Sequence, residues 1–239
     1  MIGAMKSPAF VLVHSPLVGP ATMWPLADEL VARGHRTIVP ELRAVSDASP
    51  PRWRAAVTAV ADAVAAADER EVVLVGHSGA GPLLPAISAH LRAESRAFVF
   101  VDAGLPPPSG VAPLAPPEFL AYLRTLTRED RLPPWSQWWP PDEMSALVPD
   151  EVMRQRIEAE LPRLPLAYFE ERAAVPNGWD LRPAAYLRLS LPYEPAAATA
   201  EERGWPVRRI DAGHLHTVVD PAEVADLIFQ LIEPFQIAP

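Results

Sequence analysis

The sequence predicts an α/β fold: a mostly parallel β-sheet with helices on both faces and an inserted helical cap. Three observations predict it. The first hundred residues alternate short apolar runs with amphipathic stretches. The apolar runs are continuous, as expected of strands covered on both faces, and do not alternate with polar residues. This alternation stops at Leu105 and resumes after Arg182, across a stretch rich in proline and tryptophan.

Each element follows from its local pattern. Ala9–Val13 reads as an apolar strand, and Met23–Arg33 as a helix with Leu26, Leu30 and Val31 on one face. Arg36–Val39 is a short strand. Pro51–Ala67 is an alanine-rich helix with proline at its start, where a missing N–H costs nothing. Glu71–Val75 and Ala97–Val101 are strands, joined by a helix from Pro82 to Arg92. Between residues 105 and 182, short amphipathic helices are expected around Glu118–Leu126, Asp142–Leu147 and Asp150–Leu161. The run from Pro133 to Pro141 contains Trp135, Trp138 and Trp139 and is too rigid and aromatic for a flexible linker. The alternation then returns with strand Ala185–Ser190, helix Ala196–Arg203, strand Val207–Ile210 and helix Pro221–Ile232. The domain reading is a core of residues 1–104 and 183–239, with a helical cap at 105–182.

The most informative segment is Val72-Val73-Leu74-Val75 running into Gly76-His77-Ser78-Gly79-Ala80-Gly81. A serine on a sharp turn between a buried strand and a helix is a nucleophile elbow. Its strained backbone needs neighbours without bulk, which Gly76, Gly79, Ala80 and Gly81 provide. Two other readings exist. One is an ordinary glycine-rich turn. The other is a dinucleotide fingerprint, with Asp102 roughly twenty residues on as the ribose acid. That reading places Ser78 where the second glycine must let the backbone approach a pyrophosphate, so it ranks below the elbow.

With 49% hydrophobic and 21% charged residues, the composition is that of a globular protein. No apolar run approaches the length of a membrane span, and no signal-peptide pattern precedes the first strand. A cytoplasmic location is the expectation from that missing segment. There is no cysteine, which removes disulfides and cysteine-based metal sites. The net charge of -9 argues against nucleic acid or an anionic membrane as partner. The expected partner is a small-molecule substrate, with no cofactor or metal, and a homodimer stays open as the assembly.

Phe10-Val11-Leu12-Val13-His14, Gly34-His35, Val75-Gly76-His77-Ser78-Gly79, Asp211-Ala212-Gly213-His214 and Asp220-Pro221 occur in an order and spacing that resembles the α/β-hydrolase superfamily over nearly the whole chain. The first half looks most like small hydrolases of the plant methyl-ester esterase and hydroxynitrile lyase type. The resemblance implies a Ser–acid–His triad with Ser78 as nucleophile and His214 as base, since a serine hydroxyl needs an adjacent base to take its proton. His216 is the competing base or a pocket residue. His35 and His90 read as bland strand and helix positions, and His14 as a structural cap of the first strand.

The acid has two candidates. Many relatives carry it after the strand before the histidine strand, where this chain reads Leu189-Ser190-Leu191-Pro192-Tyr193-Glu194. Glu194 lies two residues beyond the nearest place. The other site is the end of the strand after the nucleophile helix, occupied by Asp102. Asp102 is favoured over Glu194, its bland alternative being a turn cap. The oxyanion hole departs from the family pattern. Gly79 supplies one N–H, but the residue two past His14 is Pro16, which has none, and Ser15 replaces the usual glycine. The Ser15 hydroxyl or the Leu17 N–H would have to substitute.

The leading function is a serine hydrolase acting on a small apolar or aromatic ester, lactone or thioester. Trp135, Trp138, Trp139 and Trp179 either line the cap or pack its core. The alternative is a non-hydrolytic enzyme on the same fold, a lyase or cyclase using His214 and a carboxylate for proton transfer. Its hydroxynitrile lyase version lacks the lysine such enzymes use, Lys6 being too far N-terminal. A non-catalytic binding protein is a third reading, against which Ser78 and His214 together count.

Overall fold

The computed structural model describes residues 7–237. Met1–Lys6, with the lone lysine and the place where a leader was sought, lie outside the described residues. The strands are β1 (Ala9–Val13), β2 (Thr37–Ile38), β3 (Glu71–His77), β4 (Glu94–Val101), β5 (Gly110–Pro113), β6 (Arg172–Val175), β7 (Ala184–Arg188) and β8 (Val207–Arg209). Six form one sheet in the order β2-β1-β3-β4-β7-β8, with every pairing parallel. The register sets Leu12 beside Val75, Val75 beside Val99 and Val99 beside Ala185, so the carboxyl ends of the central strands lie along one edge.

The helices are α1 (Trp24–Ala32), α2 (Trp53–Ala66), α3 (Leu84–His90), α4 (Pro117–Leu126), α5 (Pro141–Leu147), α6 (Glu151–Glu160), α7 (Leu166–Glu170), α8 (Glu194–Glu202), α9 (His216–Val219) and α10 (Pro221–Ile232). Successive strand side chains point to opposite faces, so each apolar run feeds two cores. Phe10, Leu12, Val73, Val75, Val99, Val101 and Leu187 pack with Leu26 and Leu30 of α1 and with Val224, Ile228 and Leu231 of α10. Val11, Leu74, Phe98, Phe100 and Tyr186 pack with Val57 and Val60 of α2, Ile87 of α3 and Ala197 of α8. A fully buried side chain of this size contributes roughly 1.5–3 kcal/mol. The two filled faces therefore make the sheet a stiff platform for whatever its edge carries. None of the described helices is long and apolar enough to cross a membrane.

The segment between β4 and β7 holds α4, α5 and α6 in the places expected for the short helices, and a further short helix, α7, that was not expected. It also holds an antiparallel ladder that periodicity did not predict. β5 and β6 pair Gly110 with Val175 and Pro113 with Arg172, closing the segment at its two ends. Four-residue strands so far apart in sequence leave no local signal. Leu123, Trp135, Trp138, Ile157 and Phe169 join the same core as α2 and α3, so the insertion rests on the platform instead of standing apart from it.

Two other elements differ from expectation. β4 starts at Glu94, ahead of the apolar run from Ala97, because its first residues alternate exposed and buried and so belong to no continuous apolar stretch. The chain after Ser78 first forms a 3-10 helix, Ser78–Leu83, and becomes α-helical only from Leu84. Pro82 lies inside the 3-10 helix, and Pro85 falls in the first turn of α3, where its missing N–H costs nothing.

Candidate active site

Ser78 directly follows β3 and has φ +57°, in the left-handed region that a side chain normally avoids. Such a residue costs of order 1–3 kcal/mol and persists only where its surroundings hold it. Gly81 supplies part of that hold: a Cβ there would come within 2.2 Å of the Gly104 carbonyl oxygen. The turn can thus press against the chain that leaves β4. His77, fully buried, contributes from the other side, its Nε2–H donating to the His214 carbonyl at 2.9 Å. Burial, with the neighbouring His214 next in importance, lowers the His77 pKa to about 3, so it is a neutral strut.

His214 lies on the loop after β8. Its Nε2 is 3.0 Å from Ser78 Oγ and its Nδ1 is 2.7 Å from Asp102 Oδ2. With Nδ1–H donating to the carboxylate, the Nε2 lone pair faces the serine hydroxyl. Asp102 follows β4, has φ +43° and is wholly buried. Its Oδ1 accepts the N–H groups of Leu189 at 2.8 Å and Ser190 at 2.9 Å, and its Oδ2 also accepts the Ser190 hydroxyl. Burial pushes this carboxyl up, but the hydrogen bond and charge of His214 and the bonds from Ser190 outweigh it. The group therefore sits below the ordinary carboxylate range. Glu194, the other acid considered, opens α8 and pairs with Arg188 at 3.1 Å and Arg209 at 2.8 Å. The carboxylate on the imidazole is Asp102.

On the opposite flank, Ser15 is buried beside the elbow. A Cβ on Gly79 would lie 2.9 Å from Ser15 Oγ. That oxygen accepts the Leu17 N–H at 3.3 Å, which occupies one of the two substitute donors and leaves the Ser15 hydroxyl proton uncommitted by that bond. Pro16 is buried between them. His14 Nδ1 bonds the Ser15 carbonyl at 2.8 Å, and burial lowers its pKa to about 4. His14 therefore shapes the turn and carries no charge near neutral pH.

The remaining candidates lie elsewhere or play other parts. His216, on α9, bonds Glu223 at 2.7 Å. With Asp220 it forms a largely exposed group whose ligand atoms lie within 4.8 Å of one another, and Asp220 is already capping α10. Trp138 is buried against Phe119 and Tyr122, its indole N–H donating to the Pro133 carbonyl. Trp179 packs on Phe98 and Phe100. Trp135 is the tryptophan near the imidazole, its ring 6.2 Å from that of His214. Sequence reasoning passed over Tyr193, whose hydroxyl lies 3.2 Å from Ser78 Oγ. It also passed over Ser190 and gave His77 no part. Their sequence signal is position alone: His77 lies within the Gly76–Gly81 turn, and Ser190 and Tyr193 within Leu189–Glu194.

A family model described as the alpha/beta hydrolase family matches residues 10–227. The chain belongs to the alpha/beta hydrolase family. Among solved alpha/beta hydrolase-fold structures it is similar to an extracellular alpha/beta-hydrolase from a Paenibacillus species, described as sharing structural and functional homology with tobacco salicylic acid binding protein 2. The TM-score is 0.74 at 20% identity, over 94% of this chain and 98% of that one. It is also similar to polyneuridine aldehyde esterase, with a TM-score of 0.70 at 19% identity over 94% and 99%. A third is tomato methylketone synthase I in complex with 2-tridecanone, with a TM-score of 0.72 at 14% identity over 97% and 100%. At these identities the likeness is one of fold. No curated protein matches the sequence.

Proposed function

We propose that this protein is a serine hydrolase that cleaves a small apolar or aromatic ester, lactone or thioester. The observation that carries the reading is the hydrogen-bonded chain from Ser78 through His214 to Asp102, hung on a strained turn at the carboxyl edge of the sheet. Membership of the alpha/beta hydrolase family supports it.

Ser78 Oγ attacks the carbonyl carbon while its proton passes to His214 Nε2. Asp102 stays ionised, fixes the Nδ1–H tautomer and stabilises the imidazolium. The carbonyl oxygen, now negative, accepts the Gly79 N–H and the Ser15 hydroxyl, which stands in for the N–H that Pro16 lacks. The intermediate collapses, the bond to the leaving oxygen or sulfur breaks, and His214 returns the proton to it. Water then repeats the sequence on the acyl-enzyme and frees the acid. Trp135 beside His214, and Leu147 close against Gly213, favour an apolar or aromatic substrate.

The test is steady-state hydrolysis of a p-nitrophenyl acyl ester series by the wild type, Ser78→Ala and His214→Ala. The expected result is turnover that falls roughly 1,000-fold or more in each variant. A folded wild type without turnover across the series would overturn the reading. It would favour a lyase or cyclase chemistry, the alternative motivated by Pro16, which product analysis with carbonyl substrates would then identify.

A further inference from the structure

The loop after β7, where an acid was sought, delivers a phenol to the site instead. Tyr193 closes a 3-10 turn, Leu191–Tyr193, and its N–H donates to the Ser190 carbonyl at 3.1 Å. Both ends of the turn are anchored. Ser190 bonds Asp102. Glu194, next in the chain, is held by Arg188 and Arg209, and Arg188 is itself tied to the Ile210 carbonyl. The Tyr193 ring is thereby stacked parallel to the His214 imidazole, the two planes 2° apart and the centroids 5.1 Å apart. Its hydroxyl and His214 Nε2 both reach Ser78 Oγ, at 3.2 Å and 3.0 Å.

The serine can give its proton to His214 only if the phenol is the donor in the other bond. Burial, with the Asp102 charge adding to it, pushes the Tyr193 pKa up to about 12. The group thus remains a neutral donor throughout the working range. Since the ring shares the His214 side of Ser78 and Ser15 lies against Gly79, the phenol is poised toward the leaving group. Atoms bonded to the attacked carbon come within reach of a donor already 3.2 Å from Oγ.

We infer that Tyr193 is a further catalytic residue, a hydrogen-bond donor that passes from Ser78 Oγ to the oxygen of the departing alcohol. The inference rests on the serine hydrolase reading and deepens it toward esters of alkyl alcohols, whose alkoxides are poor leaving groups. As the carbon–oxygen bond breaks, its electron pair goes to the alcohol oxygen. The proton comes from His214, while the Tyr193 hydroxyl keeps its own proton and shares the developing charge. In the second half-reaction it meets the incoming water at the same place.

The experiment is Tyr193→Phe, which keeps the ring stacked on His214 and removes only the hydroxyl. The variant and the wild type are compared on acetate esters of p-nitrophenol, phenol, trifluoroethanol and ethanol, with Ser78→Ala alongside and thermal unfolding of each. The expected loss in kcat/KM is about 100-fold for ethyl acetate and shrinks steadily as the leaving group improves. A loss of one size across the series would mark Tyr193 as a merely structural partner of His214 and overturn the inference, as would no loss at all. If Ser78→Ala hydrolyses these esters as well as the wild type, the underlying reading fails and this inference falls with it.

Discussion

Pro16 withdraws a backbone N–H from the place where the family pattern puts one, and Ser15 brings a hydroxyl to the same flank of the elbow. Because Ser15 Oγ accepts from Leu17 N–H, its own proton is the natural replacement. Removing one oxyanion donor costs on the order of 3 kcal/mol, or 100-fold and more in kcat. Ser15→Ala should therefore lower kcat by about that factor with little change in KM, and adding Pro16→Ala should recover part of the loss by restoring an N–H. An unchanged kcat in Ser15→Ala would remove the hydroxyl from the mechanism. Asp102 makes a second prediction. Asp102→Asn keeps the shape but allows the imidazole the wrong tautomer, so kcat should fall about 10,000-fold. Glu194→Gln, which keeps an oxygen to accept from the arginines that anchor the Tyr193 turn and leaves the Asp102–His214 bond untouched, should cost far less, about fivefold at most. Comparable losses in the two would transfer the acid's role. Ser78 and His214 were legible because local motifs carry them. Asp102 was legible only as a strand-end carboxylate with a rival, because its partners Leu189 and Ser190 come from a distant strand.

Helices and loops near the site are tied together by contacts that no local sequence pattern shows. Glu171, at the end of α7, accepts the Arg52 N–H at 2.9 Å and the Trp53 N–H at 3.1 Å, and so caps α2 from 118 residues away. Glu160, closing α6, accepts the Ala21 N–H at 2.8 Å, in the 3-10 turn Pro20–Thr22 ahead of α1. These carboxylates satisfy N–H groups that a helix start leaves unpaired, and each also pins the inserted segment to the core. Asp220 at α10 is the local version, accepting the Glu223 N–H, and it was readable as Asp220-Pro221. A capping carboxylate is worth about 1–2 kcal/mol. Glu171→Ala should lower the free energy of unfolding by that amount, read as a lower urea midpoint at constant slope, and leave the p-nitrophenyl ester KM higher if the insertion shapes the pocket. A midpoint that does not move would show that water caps α2 equally well.

At the scale of the whole molecule, the layered sheet was legible because continuous apolar runs have few other uses, whereas the β5–β6 ladder and the Tyr193 contact are products of long-range closure. The same closure buries imidazoles, and this governs how the fold responds to acid. His14 and His77 are wholly buried, with pKa values lowered by burial to about 4 and about 3. The unfolded chain takes up protons on these residues near an ordinary histidine value of about 6.5. Between there and pH 4 the unfolded state holds one more proton at each, so stability rises with pH. The slope is roughly 1.4 kcal/mol per unit per group. Two such groups remove on the order of 5 kcal/mol between pH 6.5 and 4.5, a large part of the 5–15 kcal/mol typical of a folded domain. His35, lowered by burial and the Arg33 charge, acts in the same direction. Asp102, held below the ordinary carboxylate range, adds a further loss only at lower pH. The urea midpoint should therefore be flat above pH 7, fall steeply from pH 6 to 4.5, and fall less steeply in His77→Gln. A wild-type midpoint constant down to pH 4.5 would mean that both imidazoles accept protons in the folded protein, and His77 could then not be the neutral strut that holds the His214 carbonyl.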